Sequence, residues 1–405
     1  MKSKYSFLEW IIPFVVFVNS WSFLGGWITL FARAWIWLLL GVLALIVVVP
    51  DFFKSKAFIC LFLYITIVII NRLFGDQYYA SIPYLLTDFF SLLFYGGVCF
   101  YIVQGKTRNR ERMFLIPIFF VIVFTSITTF IANLEYPNIV RMMVAYSSSG
   151  EDYTMYYRMG VCDYSMPHAL PILIAPLILW LKTKNKKRNS KIMVLTLLFF
   201  ILLLSWTSGA TTPLLITIFA IVVSLWVNPQ KTIKHNLSGL IIITILLVPL
   251  TFDNVQLGII HFLERVVPQE NANYGKLQYF EESILYGDDS GGDISERRDL
   301  YGKSLSLFSQ NIFIGTDDSG VGGHSIIMDR LAVLGLAGII PFLLYFYNLF
   351  KSVYNKANRS KKIFVLVGVI CFFATISTKN ILGLWMYIAV FVMLPSLLDI
   401  VESDN

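Results

Sequence analysis

Gly322-Gly-His-Ser-Ile-Ile-Met-Asp-Arg-Leu331 marks the point where a long polar stretch turns directly into an apolar run that continues to residue 350. Upstream, residues 253–330 carry 13 acidic and six basic side chains. Downstream, residues 326–350 read as a helix long enough to cross a hydrocarbon core. A handful of residues suffices to join two membrane helices, so a 78-residue polar stretch between two apolar runs implies work done in the loop.

Outward from this junction, most of the chain is apolar. Of 405 residues, 57% are hydrophobic and 14% charged, with mean hydropathy +0.70. A water-soluble protein of this size has no place to hide so much apolar surface, so lipid is the solvent. Apolar runs recur at 6–24, 31–50, 57–73, 84–104, 113–133, 165–182, 192–208, 211–228, 236–252, 326–350, 363–377 and 380–400. Each is near the length of about 17–25 residues that a spanning helix needs. The expectation is an all-α polytopic integral membrane protein of about twelve transmembrane helices. It divides into residues 1–252 (helices one to nine, with an outer loop at 134–164), 253–325 (the large loop) and 326–405 (helices ten to twelve and a short tail).

Charge sets the orientation. With the amino terminus in the cytoplasm, the inside segments hold 21 of the 32 lysines and arginines, counting Lys182 at its helix end. This obeys the positive-inside rule and the inverted topology does not. Both termini are therefore expected inside and the 253–325 loop outside. The net charge of +7 is mostly this topological signal and gives no reason to expect nucleic acid. The basic start, Lys2 and Lys4, lacks a small-residue cleavage site after its apolar run, so it reads as an uncleaved first helix. Cys60, Cys99 and Cys371 fall within helices and only Cys162 is expected outside, which excludes a disulfide framework in the outer loops.

Two outer segments carry candidate chemistry. In 134–164, Arg158 of Tyr156-Tyr-Arg-Met-Gly160 is placed near the membrane surface, where a lipid phosphate lies. An interfacial anchor explains it as well as a phosphate ligand does. In the large loop, residues 293–310 read as an amphipathic helix, with Asp293 and Glu296 as a capping box and Leu300, Tyr301, Ser304, Leu305 and Phe308 on one face. Arg297 and Arg298 occupy its first turn, an unfavourable place for cations on the helix dipole. Pairing with Asp293 or Asp299 is one explanation; reception of an anion by forked guanidinium groups is the other.

The loop ends on Gly322, Gly323, His324 and Ser325 at the mouth of helix ten. Glycines let backbone approach a ligand closely, the helix start favours an anion, and a neutral imidazole can take a proton from a hydroxyl. A surface histidine is the plain reading of His324. Asp329 shares the Ser325 face and Arg330 follows; charges at the membrane edge need partners. Asp288–Asp293 reads as a solvated turn rather than a calcium loop, and neither zinc nor nucleotide motifs occur, so no metal and no cofactor is expected.

Arg297-x3-Tyr301-x2-Ser304-x3-Phe308-x2-Asn311-x3-Gly315, followed by Gly322-Gly-His-Ser325-x3-Asp329-x5-Gly335-x2-Gly338, resembles the O-antigen polymerase and ligase superfamily, and looks closer to its Wzy-type polymerases than to its ligases. The chain departs from that pattern at Ile312-Phe-Ile314, where the family usually has a proline after the asparagine. The resemblance implies a GT-C-like membrane glycosyltransferase of the bacterial inner membrane, metal-independent, acting on undecaprenyl diphosphate-linked oligosaccharide. Its expected partners are that lipid-linked glycan, the bilayer and a chain-length regulator. It implies His324 and Arg297 as catalytic residues, with Arg158, Arg298, Tyr301, Gly322, Gly323, Ser325 and Asp329 binding substrate. A ligase passing glycan to lipid A core is the alternative within the superfamily. A flippase or other transporter is disfavoured because helix interiors hold almost no ionisable residue besides Asp88.

Overall fold

The structure, a computed structural model, describes residues 6–28, 34–74, 82–104, 110–143, 154–182, 188–228, 231, 235–236, 253–269, 274–275, 277–278, 281–282, 293–316, 321, 323–358 and 361–403. It is 86% helix, with no strand among the described residues. That is what lipid as solvent requires of an open chain, because only helices satisfy their own backbone groups. Helices occupy eleven of the twelve expected positions; the twelfth, 236–252, lies outside the described residues apart from Asn236. By length and composition five can cross a membrane: Lys56–Leu73, Leu86–Gln104, Arg112–Glu135, Ser165–Lys182 and Ile326–Lys356. Six more are apolar but shorter: Phe7–Ser20, Ala34–Val48, Lys191–Thr207, Thr212–Trp226, Lys362–Thr378 and Leu384–Leu398.

Proline and glycine explain several departures from regular helix. The first run breaks at Trp21 and restarts as Ser22–Trp27, so Gly25 and Gly26 sit inside a short second helix rather than beyond the end of the first. The Ser165–Lys182 run opens as Ser165–Ala169, tightens to a 3-10 turn at Leu170–Leu173 around Pro171, and resumes at Ile174. It is the most enclosed of the five spans, with 89% of its window buried, and so forms the middle of the bundle. Ile388–Met393 is a π-helical segment, every residue of which is buried.

Aromatic rings fill the centre. Phe346 meets Phe342, Phe372 and Phe391 at centroid distances of 4.9, 5.0 and 5.6 Å, which joins three late helices in one cluster. Against this face packs Lys56–Phe74, which runs along Ile326–Lys356 for much of its length. Side chains also tie helix ends to one another. Lys182 Nζ donates to the carbonyls of Ser224, Leu225 and Val227 at 2.9, 2.7 and 2.6 Å, closing the end of Thr211–Trp226, and Lys356 Nζ donates to Ile102 at 3.0 Å. Elsewhere Asn71 meets Val333, Arg158 meets Gly26, and Gly383 lies against Ser165.

The Ile326–Lys356 helix is not continuous. Gly335 has φ 57° and ψ −163°, which interrupts it between residues 326–334 and 336–356. A loop from the polar region, Asn311–Thr316, fills the break. Leu336 N–H donates to Ile312 O at 2.8 Å and Ala337 N–H to Phe313 O at 2.9 Å. Thr316 N–H donates to Ala332 O at 2.8 Å, and Asn71 Nδ2 to Val333 O at 3.1 Å. A Cβ on Gly335 would stand 2.5 Å from the Phe313 carbonyl, and one on Gly315, itself at φ 82°, would overlap the Val333 carbonyl.

Gly335→Ala and Gly315→Ala are therefore expected to destabilise the protein well beyond the roughly 1–3 kcal/mol of a strained positive φ alone, because backbone must also move. Gly302, on the open face of its helix, is the control: an added Cβ there would meet nothing within 4 Å. At that position alanine is expected to be neutral or to stabilise by about 0.5–1 kcal/mol. Thermal unfolding of the detergent-solubilised chain measures all three.

Candidate functional site at the mouth of the broken helix

The amphipathic helix forms where expected, Asp293–Gln310, and packs on Ile326–Lys356. Its buried face is the expected one but for one position: Ser304 is buried and Leu300, Tyr301 and Phe308 are half-buried, while Leu305 is 45% exposed and Leu307 is buried instead. Ser304 Oγ donates to Asp329 Oδ1 at 2.9 Å, which holds this face inward. The second Asp329 oxygen, Oδ2, accepts from Ser325 N–H at 3.3 Å. Ser325 in turn caps its helix, with Oγ accepting from Met328 N–H at 3.2 Å. Asp329 is thus committed to a clamp that ties the amphipathic helix to the start of the broken one.

His324 sits half-buried on this clamp, following Gly323, which is exposed at φ 71°. The Gly323 N–H and the His324 ring both lie close enough to interact with the Asp329 carboxylate. Tyr301 OH donates to Thr378 O at 3.1 Å, and Ile326 N–H to Lys379 O at 3.4 Å. The structure therefore brings Tyr301, Gly323, His324, Ser325 and Asp329 into one place. Gly322 lies outside the described residues, and so do the side chains of Arg297 and Arg298. The backbone of Arg297 is two helical turns, about 10 Å, before Ser304 on the same face of the helix.

Beneath the clamp lies a charge network that no sequence pattern assembles. Arg330 Nη2 pairs with Asp88 Oδ2 at 3.3 Å and Nη1 donates to Tyr64 OH. The guanidinium stands 4.3 Å from the Phe342 ring centroid and 5.3 Å from that of Tyr64. In a straight helix residues 330 and 342 would be about 18 Å apart along the axis, so the break at Gly335 is what folds them together. Tyr387 OH donates to the other Asp88 oxygen at 2.8 Å. Asp88 is conspicuous as an acid inside an apolar run and Arg330 as a base of opposite charge. Their separation of 242 residues hides the pairing.

Arg158 belongs to a different group. Its Nε donates to Gly26 O at 2.7 Å and its guanidinium lies 5.8 Å from the Trp27 ring centroid. No described hydrogen bond or ring contact joins it to His324. The turn after it is fixed by Thr128 Oγ1 donating to Gly160 O at 2.6 Å and by Cys162 N–H donating to Thr129 Oγ1 at 2.9 Å. Cys162 is fully buried against this turn, and burial pushes its thiol up to about 12. Gly383 connects the two groups: it touches Ser165 just beyond Cys162, while Thr378 and Lys379 of the same stretch hold Tyr301 and Ile326.

Among the described residues one group has metal-ligating composition: His261, Glu264 and Glu281, whose ligand atoms lie within 4.8 Å of one another. Of these, His261 Nε2 and Glu281 Oε1 are hydrogen-bonded at 2.7 Å. The chain matches no protein-family model, no curated protein and no solved structure.

This geometry makes two measurable demands. Arg330→Gln leaves the Asp88 carboxylate without its cation and is expected to cost stability at the lower end of about 3–5 kcal/mol, since neither group is fully buried. Adding Asp88→Asn is expected to recover part of the loss, read by a double-mutant cycle on thermal unfolding. Cys162 is expected to resist maleimide at pH 8, where a thiol with so high a pKa stays protonated, and to react once the protein is unfolded.

Proposed function

We propose that this chain is a polysaccharide repeat-unit polymerase of the inner membrane, with about twelve spans, both termini cytoplasmic and the 253–325 loop on the periplasmic side. In this reading it moves a glycan from undecaprenyl diphosphate onto a hydroxyl of a lipid-linked repeat unit. The observation that carries it is the grouping of His324 with Tyr301, Ser304 and Asp329 over the mouth of the broken helix, on the face that also bears Arg297.

The chemistry asks for few parts. The bond between the anomeric carbon and the diphosphate oxygen breaks, and one from that carbon to the acceptor oxygen forms. His324 takes the acceptor proton. The diphosphate leaves as an anion and needs positive charge where it departs. Arg297 is assigned to that role, with Arg298 beside it on the same helix turn. Asp329 holds the Gly323-His324 turn in place through Ser325 and the 293–310 helix through Ser304, which makes it a positioning residue. Arg158, hydrogen-bonded to Gly26 and lying over Trp27, is assigned to the lipid-phosphate side of the substrate path. Lipid-linked substrate explains why such groups lie at helix ends and not in a water-facing domain.

His324→Ala and Arg297→Ala are expected to leave the chain inserted in the membrane while removing long-chain polysaccharide, each by roughly 10²–10⁴-fold in polymerisation rate. Gel profiles of surface glycan from a deletion strain carrying each variant measure this. Normal modal chain length in both would remove the site assignment. Polymer accumulating on the lipid carrier, in place of single repeat units, would identify a ligase instead.

A further inference from the structure

Among the described residues, two apolar patches in and beside the polar region are exposed. On the Asp253–Val266 helix, Ile259, Phe262, Leu263 and Val266 are 41, 64, 36 and 60% exposed. At helical spacing they fall in one arc about 100° wide. Ile260 and Val267, both buried, flank that arc on one side, and His261, Glu264 and Arg265 occupy the opposite face. Scattered exposed apolar residues need no explanation, but a continuous stripe of this kind does. The second patch is the tip Ile312-Phe313-Ile314, exposed by 45, 72 and 62%.

The position of the second patch identifies its covering. Its backbone is hydrogen-bonded to Leu336 and Ala337, inside the Ile326–Lys356 span. Residues 336–356 alone make about 31 Å of helix, the thickness of a hydrocarbon core. The tip therefore sits at the rim of that core and continues the lipid-facing belt of the bundle. The first patch begins where the apolar run 236–252 ends, so its helix emerges at the same kind of boundary. A strongly two-faced helix with a charged side and an apolar side lies in the plane of an interface, apolar side down.

We propose that both patches are seated in the phospholipid leaflet nearest Ser325, so that the Asp253–Val266 helix and the Ile312-Phe313-Ile314 tip lie on the bilayer and do not stand in water. The inference holds whichever reaction the chain performs. It fixes the level at which His324 and the 293–310 helix operate, that of the lipid headgroups, because the Asn311–Thr316 loop that ends this helix is also the loop that enters the rim.

The test uses the unaltered full chain in nanodiscs of phosphatidylethanolamine and phosphatidylglycerol containing a phospholipid with a diazirine in its upper acyl chain. After illumination, adduct sites are mapped by peptide mass spectrometry. Adducts are expected on Phe262 or Val266 and on Phe313, with the His261–Glu264 face unlabelled. Labelled transmembrane helices with both patches clean would overturn the proposal. A single labelled patch would overturn it for the other. Cross-links between two copies through Phe262 or Phe313, with no lipid adducts there, would assign the patches to self-association instead.

Discussion

Inside a bilayer no water is available to hydrogen-bond an open backbone, and each unsatisfied group costs several kcal/mol. The break at Gly335 opens such groups at the rim of the hydrocarbon core, where an apolar helix enters it. Everything distinctive about the surrounding region is arranged to meet them. The carbonyls of Ile312 and Phe313 take two freed N–H groups, Thr316 and Asn71 supply donors to two freed carbonyls, and the Asn311–Thr316 loop is drawn down to do it. Once that loop is fixed, the helix before it is fixed, and with it Tyr301 and Ser304. The break also turns Arg330 back towards Phe342 and Asp88. A backbone requirement thereby sets the positions of side chains that the sequence places far apart.

The helical architecture is legible in the sequence because its cause is local. Runs of apolar residues at 57–73, 84–104, 113–133 and 165–182 declare themselves without reference to the rest of the chain, and helices stand at each. The amphipathic helix at 293–310 is equally legible, down to its bounds. Most of its inward face is legible too, since Leu300, Tyr301, Ser304 and Phe308 do turn inward; only Leu305, at the edge of that face, is left outside while Leu307 goes in. Gly315 and Gly335 stand out as motif glycines, but nothing in their spacing says that each lies against the backbone of the other's segment.

The site is legible in part for the same reason. Tyr301, Gly323, His324, Ser325 and Asp329 lie within 29 residues of one another and do come together. The Asp88, Arg330, Tyr64 and Tyr387 network draws on four helices, and no single-sequence pattern encodes which acid answers which base. Arg158 stands apart from this group: its described contacts are with Gly26 and Trp27, which suit an interfacial anchor and a ligand for a lipid phosphate alike. Cys162 falls in a loop by its neighbours in sequence, which suggests exposure, while the Thr128–Gly160 and Thr129–Cys162 contacts bury it.

The 293–310 helix is held at two separate points, by Ser304 on Asp329 and by the loop that closes the break. A rod pinned twice has no freedom to tilt or slide by itself. The Asp293–Gln310 helix consequently inherits the register of the membrane helix: whatever shifts Ile326–Lys356 carries Tyr301 and Ser304 with it.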